Sequence, residues 1–270
     1  MKENDMSNPY GDRGNKDLSI ANPKGQGTAQ PVKRGGKSHP APGGPFLIGD
    51  TMTGGYGKGP DILHGCTIAV EKGEIAVIVG PNGAGKSTAM KAVFGMLDVR
   101  QGHVRLDGED ITSLSPQDRV AKGMGFVPQT SNIFTEMGAF IRRDDFRDTM
   151  AQVYDLFPIL KEKRYQAAGE LSGGQRQQVA VGRALMTQPK VLMLDEPTAG
   201  VSPIVMDELF DRIIEVARTG IPILMVEQNA RQALEIADKG YVLVQGANAF
   251  TGTGKELLED PEVRKSFLGG

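Results

Sequence analysis

Short apolar runs alternate with amphipathic segments along most of the chain. The runs are rich in Val, Ile, Leu and Met, which is typical of strands buried on both faces. The segments between them repeat apolar residues every three to four positions, as in a helix with one buried face. This alternation predicts an α/β fold with a mostly parallel, doubly wound sheet. The predicted strands are 75–79, 123–128, 191–196, 221–226 and 241–244, and the predicted helices are 89–96, 203–218 and 229–237.

Two regions depart from this alternation. Strands are predicted at 46–53 and 62–70 around a glycine-rich turn, followed by a hairpin at 102–108. From 130 to 170 the pattern is helical instead and predicts a helical insertion in the α/β core. Its apolar residues recur at helical spacing until Pro158 ends the run, and they are Phe146, Met150, Val153, Tyr154 and Phe157.

The first 45 residues are predicted to be a disordered tail. They hold eight glycines and six prolines but one aromatic residue, Tyr10, which leaves little from which to build a core. The basic stretch at 33–37 could contact acidic lipid or nucleic acid, although a solvated patch is the simpler interpretation. Residues 46–270 would then form the folded domain.

Composition places the chain among soluble globular proteins, with 39% hydrophobic and 24% charged residues. The net charge of −2 provides no overall field for nucleic acid, so no nucleic-acid partner is expected. A single cysteine, Cys66, excludes an internal disulfide and fits a reducing compartment. No apolar run approaches the roughly 20 residues that span a bilayer, and the first thirty residues lack a secretory signal. We therefore expect a cytoplasmic protein that reaches a membrane only through a partner.

The first candidate functional residues directly follow the strand predicted at 75–79. A glycine-rich stretch there leads into a predicted helix, which is the context of a phosphate-binding loop. Glycine allows consecutive N–H groups and the helix N-terminus to approach an anion. Lys86 would add a positive charge, and Ser87 a hydroxyl ligand for Mg²⁺. The candidate phosphate-binding residues are Gly80, Pro81, Asn82, Gly83, Ala84, Gly85, Lys86, Ser87 and Thr88.

Tyr56 is a candidate contact for the base of the nucleotide. It lies in the glycine-rich turn thirty residues before Lys86, where its ring could lie flat against adenine. The residue alone is equally compatible with packing at a strand end, and both interpretations stay open.

Two later motifs carry further candidates. The apolar strand at 191–196 ends in Asp195, which can reach a magnesium ion, and Glu196, which can polarise an attacking water. Before it, a serine and two glycines open a helix that is predicted to run to about Met186, a second anion-binding helix start. The residues at this start are Ser172, Gly173, Gly174 and Gln175.

These motifs, together with Gln129 at the end of a strand, resemble in their order those of ABC-type ATPases, over roughly residues 46–268. The resemblance implies a P-loop NTPase (RecA-like) core, an antiparallel β subdomain and an inserted α-helical subdomain. It implies ATP and Mg²⁺ as cofactors, with Gln129 contacting the metal and Glu196 acting in catalysis. It also implies a head-to-tail dimer, in which Ser172 to Gln175 of one subunit complete the nucleotide site of the other.

Three stretches resemble a narrower type, the LivF-like ATP-binding subunit of branched-chain amino acid importers. They lie at 154–158, 226–243 and 260–264. This resemblance implies a second ATPase subunit, identical or different, at the inner face of the plasma membrane. Integral membrane permease subunits and, indirectly, an external solute-binding protein are the other implied partners. Related systems import urea or short amides, which leaves the solute open.

Three departures from the ABC pattern bear on activity. Gln228 stands where most relatives have a histidine that contacts the γ-phosphate; glutamine is usual in the LivF-like type and can hydrogen-bond but cannot carry a proton. Ser202 replaces an aspartate in the loop after Glu196. Roughly ten residues are missing after Gln129, in a region that normally faces the permease. A soluble ABC-type regulatory module with impaired hydrolysis is therefore an alternative to the importer subunit.

Overall fold

The main structural feature is a six-stranded sheet of mostly parallel strands. The computed structural model describes residues 44–129 and 146–268. The strand order is β10-β9-β3-β8-β7-β6, in which β10 pairs antiparallel with β9 and the other neighbours are parallel. The strands are β3 (Ile75–Val79), β6 (Met124–Val127), β7 (Val191–Asp195), β8 (Ile223–Val226), β9 (Lys239–Val244) and β10 (Ala247–Gly252).

A four-stranded antiparallel sheet, ordered β2-β1-β4-β5, packs against it. Its strands are β1 (Leu47–Gly55), β2 (Leu63–Val70), β4 (Asp98–Leu106) and β5 (Glu109–Asp110). Two side chains join the sheets by pairing with the backbone of β2. The Tyr241 hydroxyl donates to the carbonyl of Ala69 and accepts from its N–H, both at 2.9 Å. The Asn248 amide bonds both backbone groups of Thr67, at 2.7 and 2.8 Å.

Helices cover the parallel sheet. Alternate residues of β3 enter two hydrophobic clusters, with Ala76 and Ile78 on the side of the antiparallel sheet and the other three residues of β3 on the opposite side. The helices are α1 (Lys86–Phe94), α2 (Pro116–Ala121), α3 (Phe146–Leu156), α4 (Pro158–Glu162), α5 (Gly173–Leu185), α6 (Pro203–Arg218), α7 (Ala230–Ile236), α8 (Gly254–Glu259) and α9 (Pro261–Phe267). In the parts of the chain that the structure describes, no helix is both long and apolar enough to cross a membrane.

The predicted α/β architecture is confirmed, with local corrections. Residues 102–106 belong to the long strand β4, and the hairpin turn is Asp107–Gly108, with Leu106 paired to Glu109. Pro158 not only follows α3 but also begins α4. Strand β10 and helices α2, α8 and α9 were not predicted. Residues 130–145 and most of the predicted tail lie outside the described residues.

Register brings the carboxyl ends of β3, β8 and β7 to one edge of the sheet. Ile78 lies opposite Val226, and Val226 lies opposite Asp195. The next residues continue this pairing, because the Glu227 N–H donates to the Ile78 carbonyl at 3.1 Å and the Glu196 N–H to the Val226 carbonyl at 2.9 Å. In such sheets ligands bind at the carboxyl edge.

A buried arginine fixes the far end of α1. Arg119 is 1% exposed, and its guanidinium donates to the carbonyls of Ala92, Val93, Leu114 and Thr112 at 2.6 to 3.1 Å. Carbonyls in the last turn of a helix have no partner within the helix, and a cation there also complements the helix dipole. Arg119 therefore caps the helix that begins at the phosphate-binding loop.

We expect Arg119→Leu to lower the free energy of unfolding by about 3 kcal/mol or more, because it leaves several buried carbonyls unpaired. Urea denaturation without nucleotide measures the change. The matched control is Arg105→Leu, which removes a half-exposed arginine whose ion pair with Asp50 spans 3.9 Å and should change stability by less than about 1 kcal/mol. Equal effects of the two substitutions would contradict the capping role.

Candidate nucleotide-binding site

The loop between β3 and α1 is shaped by its glycines. Gly80 has φ 146°, and a Cβ there would lie 2.3 Å from the carbonyl oxygen of Leu243. Gly85 precedes α1 with φ 93° and offers no side-chain cap. The first N–H groups of α1 therefore donate no hydrogen bond to a capping side chain, which leaves them available to an anion. The other loop residues are Pro81, Asn82, Gly83 and Ala84, and the Ala84 N–H donates to the Pro81 carbonyl at 3.1 Å. Thr88 lies in the first turn of α1.

Lys86 is the first residue of α1, and its side chain contacts the loop. Its side chain donates to the carbonyls of Gly80 and Pro81 at 2.9 and 3.2 Å, and the residue is 6% exposed. Burial lowers the pKa of Lys86, while Glu196 and Asp195 oppose that shift. Because this ammonium has lost most of its contact with water, an anion that enters the loop stabilises it.

Ser87 and Asp195 come together from α1 and β7. The Ser87 hydroxyl donates to Asp195 Oδ1 at 2.9 Å. Burial raises the pKa of Asp195, and the hydrogen bond from Ser87, with Lys91 and Lys86, opposes the rise. A hydroxyl and a carboxylate beside a phosphate-binding loop are the oxygen ligands that Mg²⁺ takes alongside water and phosphate. These residues fit the metal.

Glu196 is held in an unusual backbone conformation directly after β7. Its φ is 49°, which costs a non-glycine residue about 1–3 kcal/mol. Gln129, which follows β6, donates from its side-chain nitrogen to Glu196 Oε2 at 2.7 Å. Gln228 follows β8 and donates to Asn82 Oδ1 in the loop, a long contact of 3.5 Å. The three strand ends thus place Gln129, Glu196 and Gln228 around the same loop.

Residues 63–199 match the family model described as "ABC transporter". Two curated relatives are similar over nearly their whole length. The branched-chain amino acid transport ATP-binding protein BraG of Pseudomonas aeruginosa is 40% identical, covering 83% of this chain and 100% of BraG. The probable branched-chain amino acid transport ATP-binding protein LivF of Archaeoglobus fulgidus is 41% identical, covering 81% of this chain and 96% of LivF. The chain belongs to the ABC transporter family.

A solved structure supports the same conclusion for the fold. A nucleotide-free ATP-binding cassette from an ABC transporter superposes with a TM-score of 0.72 at 28% identity, covering 84% of this chain and 100% of the cassette. The P-loop NTPase fold expected from the sequence is confirmed, and the chain is an ABC-type ATPase.

Tyr56 directly follows β1, whereas the phosphate-binding loop follows β3. The residue is 46% exposed at the end of β1. The turn that follows it is fastened by Arg100, which donates to the carbonyls of Gly57 and Gly59 at 2.7 Å each and pairs with Asp61. The exposed ring therefore precedes a turn that is fixed by Arg100. The sequence did not indicate these contacts of Arg100.

The motif of Ser172, Gly173, Gly174 and Gln175 lies at the start of α5. Ser172 Oγ accepts from the Gln175 N–H at 3.2 Å, and Gln175 Oε1 accepts from the Ser172 N–H at 2.9 Å. These reciprocal bonds form a capping box. In the described part of the chain no hydrogen bond joins this motif to the phosphate-binding loop.

The two glycines of this motif differ in their surroundings, which gives a matched test. A Cβ on Gly174 would lie 1.9 Å from Cγ1 of Val205, a stiff side chain on α6, whereas one on Gly173 would meet nothing closer than 3.7 Å. We expect Gly174→Ala to lower the free energy of unfolding by about 1–3 kcal/mol and Gly173→Ala to leave it nearly unchanged. Urea denaturation of both variants measures this, and Val205→Ala should restore the first. Equal losses would contradict the packing.

Proposed function

We propose that this ABC ATPase energises the import of branched-chain or other apolar amino acids. The observation that carries the proposal is its similarity, at 40% and 41% identity, to nearly the full length of two relatives named for branched-chain amino acid transport. Neither the soluble regulatory module nor a subunit for urea or short amides gains support from these relatives.

The phosphate-binding loop is proposed to hold ATP through Lys86 and the N-terminus of α1, since both present positive charge to an anion. Ser87 and Asp195, joined at 2.9 Å, would hold Mg²⁺, and Gln129 would also contact it. When bound, the metal neutralises charge that develops on the phosphate. The ring of Tyr56 would stack on the adenine.

Glu196 is proposed to orient the attacking water and accept its proton. The bond from Gln129 engages one of its carboxylate oxygens and fixes the direction of the side chain. Gln228 would hydrogen-bond the γ-phosphate from the other side of the loop, but its amide takes no proton. Proton transfer therefore rests on Glu196.

The full site is proposed to need two subunits, because Ser172 to Gln175 lie at a separate helix start. The start of α5 in one subunit would complete the phosphate site of the other, whether the partner is identical or different. Ser202, in the loop after Glu196, would weaken communication between the two sites.

Membrane permeases at the inner face of the plasma membrane, and an external solute-binding protein acting through them, complete the proposed assembly. The shortened segment after Gln129 lies outside the described residues, and altered permease coupling remains a hypothesis for it.

Uptake of labelled leucine, with labelled urea for comparison, tests this function in a strain lacking the chain and in the same strain given it back. We expect leucine uptake to be lost and restored while urea uptake stays constant. Urea uptake that follows the chain, or leucine uptake that ignores it, would overturn the solute assignment. Co-purification of a permease with the chain is the independent test of the partner.

A further inference from the structure

Glu227 is a buried carboxylate that has no role in the phosphate-binding loop or in the metal site described above. It follows β8 directly and is 1% exposed. The buried carboxylates among the described residues are Asp195 and Glu227, and Asp195 faces Ser87. Within the described residues, hydrogen bonds and no ion pair offset the burial of Glu227. Burying a charged carboxylate is costly unless hydrogen bonds replace those it made with water.

The two oxygens of Glu227 hold two different parts of the site. Oε1 accepts from the N–H and the hydroxyl of Thr198, at 3.0 and 2.8 Å. Oε2 accepts from the N–H of Gln228 at 3.1 Å. Thr198 lies two residues after Glu196, so a single carboxylate links the segment that carries Glu196 to the segment that carries Gln228.

The linked segment includes the strained residue. Glu196 has φ 49°, and its carbonyl accepts from the Ala199 N–H at 3.0 Å, which closes a tight turn around Thr198. Thr198 is 2% exposed and is fixed within this turn by Glu227. The Glu227 backbone is itself fixed, because its N–H donates to Ile78 in the strand that leads to the phosphate-binding loop. A strained conformation persists only when its surroundings hold it, and the bonds from Thr198 make Glu227 one of the groups that hold this turn.

The carboxylate oxygens of Glu227 accept all three of these hydrogen bonds, as suits an ionised carboxylate. Burial raises the pKa of Glu227, and the hydrogen bonds from Thr198 and Gln228 oppose the rise. A glutamine in its place would bring an NH₂ group against one of these donors. At least one of the three contacts would then be lost.

We propose that Glu227 is a positioning residue that holds Glu196 and Gln228 in the geometry needed for ATP hydrolysis. The inference rests on the proposed roles of those two residues and concerns hydrolysis alone. The phosphate-binding loop keeps its own contacts through Lys86 and Ser87, so we expect ATP to bind mainly through residues that Glu227 does not contact.

Glu227→Gln tests the proposal in the purified full-length chain. We expect kcat for ATP hydrolysis to fall about tenfold to a hundredfold, with the KM for ATP and the Kd of a non-hydrolysable ATP analogue within about twofold of wild type. An unchanged kcat, or a Kd that weakens in step with kcat, would overturn the positioning role. Because the assay contains no amino acid or permease, a wrong solute assignment leaves this result unaffected.

The Thr198 side of the link gives a second test if Glu227→Gln folds poorly. Thr198→Val removes one donor at nearly constant volume, and Thr198→Ser keeps the hydroxyl. We expect the valine variant to lose at least about fivefold in kcat with an unchanged Kd, and the serine variant to keep most of the activity. Equal kcat values for the two variants, or losses that follow the folded fraction in a thermal melt, would refute the link.

Discussion

Replacing Lys86 with alanine is expected to lower ATP affinity about tenfold to a hundredfold and ATP hydrolysis about a thousandfold or more. The buried ammonium is held inside the loop by Gly80 and Pro81, where it can meet a phosphate without rearrangement of the backbone. Removing one charged hydrogen bond to the ligand costs about 1.5–3 kcal/mol in binding, and loss of preorganised charge costs more in the transition state.

Thermal melts recorded at increasing ATP concentrations measure this loss of affinity. Wild-type protein should gain stability as ATP is added, because ligand binds only the folded state, and Lys86→Ala should gain little. The control is Lys255→Ala, which removes an exposed lysine on α8. A Kd for ATP that is the same in Lys86→Ala and Lys255→Ala would contradict the role of Lys86.

Replacing Glu196 with glutamine is expected to stop hydrolysis while ATP still binds. Loss of a general base costs about 100-fold to 10,000-fold in rate. Glutamine has the same shape and tolerates the left-handed backbone at φ 49° about as well as glutamate does. It also retains an oxygen to accept from Gln129, so the site should stay assembled.

Phosphate release, ATP affinity and subunit association distinguish this result from misfolding. We expect phosphate release below a hundredth of wild type, an unchanged Kd, and an ATP-dependent dimer in size-exclusion chromatography. Glu208→Gln, at an exposed position of α6, is the matched control and should behave as wild type. Phosphate release above a tenth of the wild-type rate would assign the base to another residue.

The strands that position the site were predictable because each is a continuous apolar run. Runs of this kind form β3, β7 and β8, and the candidate residues lie at the end of each strand or within two residues after it. Strand β10 was missed because it pairs at the edge of the sheet and its residues are mostly half-exposed, which leaves no apolar run to detect.

Contacts between distant parts of the chain could not be predicted in the same way. The bond from Gln129 to Glu196 joins residues 67 positions apart, and Arg119 caps a helix whose last turn lies 26 positions earlier. Glu227 resembles Asp195 in following an apolar strand, which was the available signal, but its partners come from folding alone. The expected contact of Ser172 to Gln175 with a nucleotide lies between chains and stays a prediction.

Leucine uptake in a strain that carries Glu196→Gln as its single copy of the chain tests the central claim most directly. If hydrolysis at this site drives import, uptake falls to the level of the strain without the chain, although the variant is present at wild-type abundance and binds ATP. Uptake at the wild-type rate in that strain would contradict the claim that Glu196 powers transport.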